Sequence, residues 1–204
     1  MDKASGQGER PSSAEQGAAT RTAIMDATAA LIAELGWGQV TTRAIATRAG
    51  VPHGAVSYHF KGKEELLREA AVSATLQALA QPIALTRQAG SVRELVDGTL
   101  AWFSSGALDD PSVALLLETA RQASRDPALR EPIAAELRSY RAVLTGLVRA
   151  DQERGEIDSR VSASGTATLV AALFDGVLLH LLVDPDLDVQ NAAGVVHALL
   201  GGVG

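Results

Sequence analysis

Hydrophobic residues between positions 20 and 60 recur at the spacing of amphipathic helices. The first helix begins near Arg21, and its apolar stripe consists of Ile24, Ala27, Thr28, Leu31, Ile32 and Leu35. The Gly-Trp-Gly segment at 36–38 ends this helix in a turn. Thr41 is a suitable N-cap for a short second helix that runs to Arg48.

A tight turn follows the second helix. Gly50 supplies the backbone freedom that a sharp turn needs. Pro52 suits the first position of a third helix, which ends near Phe60. Three short helices, the last two joined by a glycine turn, predict a helix-turn-helix unit.

The remaining chain also has the pattern of helices separated by short breaks. The predicted helices run from Lys61-Gly62 towards Pro82, from Val92 to Phe103, from Pro111 to Ser124, from Asp126-Pro127 to Gly155, from Ser162 to Leu182 and from Val189 to Leu200. Residues 1–19 are polar and lack periodicity, which predicts a disordered arm. The expected fold is therefore all-α, with a helix-turn-helix domain at 20–66 and a second helical domain at 67–204.

Composition narrows the possible function classes. The chain has no cysteine, so it has neither a disulfide framework nor a thiolate metal site. The four histidines, His53, His59, His180 and His197, are not at metal-ligand spacing. No phosphate-binding glycine loop or nucleophile motif is present, so we expect neither an enzyme nor a bound metal or cofactor.

The hydropathy pattern indicates a soluble cytoplasmic protein. The N-terminus is polar and lacks the apolar core of a signal peptide. The longest apolar run, from Leu169 to Val183, is interrupted by Asp175 and His180 and is too short to predict a membrane span.

Charge is unevenly distributed along the chain. Residues 1–63 contain seven Lys and Arg against five Asp and Glu, whereas the rest contains 11 against 19, for a net charge of −6. A basic N-terminal segment fits a phosphate-facing domain, although solvated protein faces produce similar imbalances.

Residues 36–67, GWGQVTTRAIATRAGVPHGAVSYHFKGKEELL, resemble the DNA-binding signature of the TetR family. The matching positions are Gly36, Thr41, Thr42, Ile45, Ala46, Ala49, Gly50, Val51, Gly54, Tyr58, His59, Phe60, Lys63, Glu64 and Leu66. Weaker resemblance continues in SRDPALREP, RGEID and LFDGVLLHLLVDP. The resemblance implies that residues 67–204 bind a small effector and pair with a second copy of the chain.

The third helix has the side chains that a recognition helix needs. Its expected groove face consists of His53, Gly54, Ser57 and Tyr58, while Val56 and Phe60 turn inward. Small or hydrogen-bonding groups suit a helix that lies in the major groove. Glycine in a helix costs up to about 1 kcal/mol relative to alanine, and close approach of the backbone to DNA would compensate for that cost.

The family resemblance assigns roles to individual residues. It implies base reading by His53 and Gly54, and phosphate contacts by Thr42, Arg43, Tyr58, His59 and Lys63. Each has a structural alternative: Arg43 as a solvated charge, His59 as a histidine bonded to a carbonyl, Tyr58 as a packing residue. Two positions depart from the family, since Ser57 stands where many members have an aromatic residue and Pro52 replaces the usual Ser or Thr N-cap.

The two most apolar helices lie at the C-terminal end of the chain. The segment ATLVAALFDGVLLHLLV is apolar on nearly every side, so it must be covered on most of its faces. The predicted dimer contacts are Leu169, Ala172, Leu173, Gly176, Val177 and Leu181. The alternative is ordinary packing within one subunit.

An effector pocket is inferred from large side chains expected to point between helices. The predicted lining is Trp102, Phe103, Leu116, Leu137, Tyr140, Leu144 and Phe174, with Glu118 and His180 orienting a small apolar or amphipathic effector. The alternative is that these large side chains form an ordinary hydrophobic core and that Glu118 faces solvent.

These patterns favour a homodimeric, sequence-specific transcriptional regulator of double-stranded DNA. A repressor is expected because blocking a promoter requires no activating surface, and a dimer predicts an inverted-repeat operator. An adaptor that had lost DNA binding would have a degraded groove face, but Gly54, Tyr58, His59 and Lys63 are intact.

Overall fold

The computed structural model describes residues 12–105, 108 and 110–200. Their helices are α1 (Ser13–Leu35), α2 (Thr42–Ala49), α3 (His53–His59), α4 (Lys63–Gln88), α5 (Val92–Ser104), α6 (Pro111–Ala123), α7 (Pro127–Arg154), α8 (Ala163–Val183) and α9 (Gln190–Leu200), with a 3-10 turn at Trp37–Gln39. No strand occurs among these residues, which confirms the all-α prediction. The chain divides into two compact units between Ala71 and Val72, within α4.

Most helices begin at a residue whose side chain accepts a hydrogen bond from the first turn. These caps are Ser12, Thr41, Ser91, Asp110, Asp126 and Ser162. A cap of this kind satisfies a backbone donor that has no partner inside the helix. The local sequence therefore places the helix starts, and α6 and α7 begin at the predicted prolines.

The first helix begins earlier than predicted. Ser12 and Glu15 form a capping box, in which the Ser12 nitrogen donates to the Glu15 carboxylate at 2.6 Å and Glu15 N donates to Ser12 Oγ at 3.2 Å. Helix α1 therefore begins at Ser13, and the prediction of disorder is wrong for residues 12–19. Residues 1–11 lie outside the described residues.

Helix α4 does not end near Pro82 as predicted. It continues to Gln88, with Pro82 inside it. Proline in a helix interior costs about 3 kcal/mol because it lacks an N–H donor. The neighbouring Leu79 and Ile83 are buried, so tertiary packing offsets that cost.

The core of the N-terminal unit follows the predicted apolar stripe of α1. Ile24, Ala27, Thr28, Leu31 and Ile32 are buried, together with Ile45, Val56 and Phe60 from the next two helices. Leu35, which belongs to the predicted stripe, is instead 49% exposed at the last residue of α1.

The core of the second unit joins α5, α6, α7 and α8. Its members include Leu100, Phe103, Val113, Leu144, Val148, Val170, Phe174, Leu178 and Leu181. The buried Asp151 carboxylate accepts a hydrogen bond from Val92 N at 2.8 Å and ties the end of α7 to the start of α5.

Helix α8 is more apolar than the sequence interpretation allowed. Among the described residues it is the one helix long and apolar enough, by length and composition, to cross a membrane. Ala167, Val170, Phe174, Leu178 and Leu181 on one of its faces are buried in the core of the second unit. A helix in the core of a soluble protein can have the same length and apolar composition.

Candidate DNA interface and effector domain

The turn between α2 and α3 is built from local backbone geometry. Gly50 adopts φ +68°, in the left-handed region that glycine enters without steric cost. Its N–H donates to Thr47 O at 3.2 Å, and Val51 N donates to Ala46 O at 3.0 Å. These bonds satisfy the last carbonyls of α2 and redirect the chain into α3.

Helix α3 presents the predicted face to solvent. His53, Gly54, Ser57 and Tyr58 are exposed, with Tyr58 at 86%. Val56 and Phe60 on the opposite side are 3% and 5% exposed, as predicted. The helix therefore has one polar face that is open to a partner and one apolar face that anchors it in the unit.

Gly54 is not required by the packing of the protein. A Cβ atom built at this position meets no heavy atom within 4 Å, and its φ is not positive. The fold itself would therefore accept a side chain here. An open glycine on the exposed face of a recognition helix is consistent with close approach of DNA to the backbone.

His59 is less accessible than the other predicted contacts on α3. It is half-buried, and its ring meets that of Tyr58 edge-on, with centroids 5.1 Å apart. Its predicted carbonyl bond is not among the hydrogen bonds of the described residues.

The candidate phosphate contacts outside α3 lie at helix starts. Thr42 and Arg43 occupy the first turn of α2, where Arg43 is exposed and Thr42 is half-buried. Lys63 begins α4, and its Nζ donates to Val40 O at 3.0 Å. Backbone N–H groups at a helix start favour an anion.

A shallow cavity of about 430 Å³ lies beside these residues. Its lining is Leu31, Thr41, Arg43, Ala44, Thr47 and Arg48. Arg48 is engaged by Glu34 at 2.5 and 2.8 Å, and this contact lowers the pKa of Glu34. Arg43 lies at the edge of this concavity.

The predicted effector residues do not all share one region. Phe103, Leu144 and Phe174 meet in the core of the second unit. Leu116, Leu137 and Tyr140 are half-buried on α6 and α7, and Trp102 is 36% exposed with its ring 5.5 Å from that of Phe103.

The two polar residues predicted for the pocket have different surroundings. His180 is exposed on α8, so it does not point into the interior as predicted. Glu118 forms an ion pair with Arg121 at 2.6 Å. One polar neighbour of the core was missed: Thr86, which is buried. Burial raises the pKa of the predicted Tyr140, although a hydrogen bond with Thr86 opposes the shift.

The predicted dimer residues separate into an outward and an inward set. Leu169 (72% exposed) and Ala172 lie on the outward face of α8, while Gly176, Leu173 and Val177 are half-buried. Leu181 is buried in the chain's own core, so its assignment to the interface is corrected.

The outward face is larger than predicted. Leu179, Leu182 and Val183 are also exposed on α8, and Val195 and Leu199 are exposed on α9. Leu179 and Val183 follow Leu169 and Gly176 at helical spacing, but neighbouring positions of α8 are equally apolar, so this spacing did not mark a face in the sequence.

The fold and the exposed α3 face define a helix-turn-helix DNA-binding protein. Residues 24–70 match the family model of bacterial regulatory proteins of the tetR family, and residues 92–203 match that of the C-terminal region of BetI-type transcriptional repressors. The chain belongs to the TetR family of transcriptional regulators, and it is a regulator rather than an enzyme.

Relatives and solved structures agree with this assignment. The chain is 26% identical over 188 residues to the transcriptional regulator BetI of Pseudomonas aeruginosa, covering 88% of this chain and 90% of that protein. A transcriptional regulator from Streptomyces coelicolor is 31% identical, with a TM-score of 0.65, covering 87% of this chain and 95% of its own. A regulator from Saccharomonospora viridis, solved with choline, shares the fold at 20% identity and a TM-score of 0.73, covering 88% and 94%.

Proposed function

We propose that this protein is a homodimeric cytoplasmic repressor that binds an inverted-repeat operator and leaves it when a small molecule binds the second unit. The observation that carries the proposal is the exposed polar face of α3, with His53, Gly54, Ser57 and Tyr58 on the side opposite the buried Val56. The match to BetI-type repressors over 92–203 supports repression.

The proposed DNA contacts fall into two groups: residues that read base edges and residues that position the protein on the sugar-phosphate backbone. His53 and Gly54 lie at the start of α3, the end of a recognition helix that contacts base edges. Thr42, Arg43, Tyr58, His59 and Lys63 are proposed to contact the sugar-phosphate backbone, and Ser57 lies on the groove face of α3. Phosphate contacts fix the register of a protein on the duplex and carry no sequence information.

Dimerisation is proposed through the outward face of α8 and α9. Leu169, Leu179 and Val183 leave apolar surface exposed along α8, and Leu199 adds to it from α9. Apolar side chains of this size each gain about 1.5–3 kcal/mol when fully buried. A two-fold pairing would place two copies of α3 about one helical turn of DNA apart, roughly 34–36 Å.

The effector is proposed to bind where Phe103, Leu144 and Phe174 meet, bordered by Tyr140. This lining favours a small apolar or amphipathic molecule with a group that bonds the Tyr140 hydroxyl. Choline belongs in the first set of compounds to be tested because the Saccharomonospora viridis regulator was solved with it.

The test is selection of bound duplexes from random DNA by the full-length protein, followed by titration of the selected duplex with candidate compounds. We expect an inverted repeat to be enriched, and a compound to release it while sedimentation still shows a dimer. Failure to enrich any sequence would reject the DNA-binding role. Dissociation into monomers on release would reject the proposed mode of control.

A further inference from the structure

Arg21 contacts three parts of the DNA-binding unit at once. Its guanidinium carbon lies 4.8 Å from the centroid of the Phe60 ring, a cation–π geometry. The same group pairs with the Glu69 carboxylate. Its Nη1 is 3.1 Å from Met25 Sδ in its own helix. One side chain of α1 therefore joins the residue that follows α3 to the second turn of α4.

The two partners of Arg21, Phe60 and Glu69, lie next to the start of α4 and within α4, so a movement of α4 would displace them. Phe60 is the C-cap of α3, its backbone N–H donates to Val56 O at 3.0 Å, and its side chain is 5% exposed. Only two residues separate Phe60 from Lys63 at the start of α4. Glu69 is followed by the buried Ala70 on the same helix.

Helix α4 extends past the boundary between the two units. It runs without interruption from Lys63 to Gln88, and the boundary falls after Ala71. A displacement of α4 that begins beyond Ala71 therefore reaches Glu69 through continuous helix. At Glu69 it meets Arg21, which also contacts the end of the recognition helix.

We propose that Arg21 is a positioning residue that couples the orientation of α4 to that of α3. The inference rests on the proposed role of α3 in reading DNA. Arg21 itself precedes residues 24–70, the segment that matches the family model, whereas its partners Phe60 and Glu69 lie within that segment. By holding Phe60 and Glu69 together, Arg21 keeps α3 in the orientation that the operator requires.

The test compares full-length variants on the duplex that the wild type selects and on a scrambled duplex. Arg21→Met keeps an apolar stem over Phe60 but removes the charge, and Glu69→Gln removes only the carboxylate. We expect each to reduce the ratio of specific to non-specific affinity about two- to five-fold. The double variant should lose no more than Arg21→Met alone, because that substitution already removes the pair with Glu69. Arg21→Lys should retain most of the wild-type ratio of specific to non-specific affinity that Arg21→Met loses.

Glu34→Gln is the matched control. It removes the ion pair with Arg48, which joins α1 to α2 in the same unit and is exposed to a similar extent. Denaturant unfolding should show that Glu34→Gln and Glu69→Gln lower the free energy of unfolding by similar small amounts. The ratio of specific to non-specific affinity should fall in Glu69→Gln and stay unchanged in Glu34→Gln. An unchanged ratio in Glu69→Gln, or an equal fall in the control, would overturn the coupling. A wild type with no sequence preference would overturn the proposed function as well.

Discussion

The Lys63 ammonium donates a hydrogen bond to the backbone carbonyl of Val40 at 3.0 Å, from the start of α4 to the segment that precedes α2. A lysine predicted to contact phosphate is thus also a structural tie within the DNA-binding unit. An ammonium group has three donors, so the bond to Val40 leaves two for a phosphate. Lys63 and the exposed Arg43 should therefore respond differently to substitution.

The first prediction separates these two roles. Arg43→Ala should weaken binding to all duplexes and reduce the slope of log affinity against log salt by up to about one unit, with unfolding unchanged. Lys63→Met should reduce the same slope and also lower the free energy of unfolding by about 0.5–1.5 kcal/mol, since it loses the Val40 bond. Anisotropy titrations at several salt concentrations and urea unfolding measure both effects. Full affinity in the double variant would refute the phosphate assignment.

The second prediction concerns Gly54. Gly54→Leu should abolish operator binding, because a bulky side chain would fill the space between α3 and the base edges. The fold should be retained, since a Cβ at this position meets no atom within 4 Å, and leucine favours helix over glycine by about 0.8 kcal/mol. Gly98→Leu is the control: Gly98 is an exposed glycine of α5 with equally open surroundings, so this variant should bind normally. Normal binding by Gly54→Leu would show that this face does not enter the groove.

A third prediction applies to His53. His53→Ala should change the sequence selected from random DNA at a position in each half-site, because we propose that the imidazole reads base edges. The stability of the protein should not change, since His53 is exposed. Selection followed by sequencing measures the preference. An identical selected motif would place the reading face elsewhere on α3.

The proposed dimer interface is tested by a charge on α8. Gly176→Arg should yield monomers with unchanged helical content, because an unpaired charge in a desolvated contact costs several kcal/mol. Gly146→Arg is the control: both glycines have no atom within 4 Å of an added Cβ, but Gly146 lies on α7. Sedimentation velocity should show monomers for Gly176→Arg alone, with loss of specific DNA binding. A dimeric Gly176→Arg would move the interface away from this helix.

The last prediction follows from the buried Asp151 carboxylate. Burial raises its pKa, although the hydrogen bond from Val92 N–H and the charge of Arg154 both oppose the shift. The folded protein therefore holds this proton more tightly than the unfolded chain. As pH falls through the raised pKa towards the ordinary value near 3.8, the wild type should gain stability relative to Asp151→Asn. Urea unfolding of both proteins between pH 7 and 4 measures this change. A wild type that loses stability relative to Asp151→Asn as pH falls would contradict the assigned shift.

Local sequence determined most helix boundaries. Thr41, Ser91 and Ser162 cap helices through side-chain hydrogen bonds to residues three positions ahead, and Gly50 and Gly155 end helices at positive φ. These are short-range interactions, so a single chain pattern reveals them. The exposed face of α3 was equally predictable, because Val56 and Phe60 mark the buried side of this helix.

Only tertiary structure decided features that depend on distant packing. Helix α8 is apolar on nearly every side, so periodicity could not show that Leu181 faces the core while Leu179 faces outward. Pro82 predicts a helix end by local rules, yet burial around it keeps α4 continuous. The Arg21–Glu69 pair joins residues 48 positions apart. Side-chain contacts over such separations depend on how the helices pack, which no local pattern encodes.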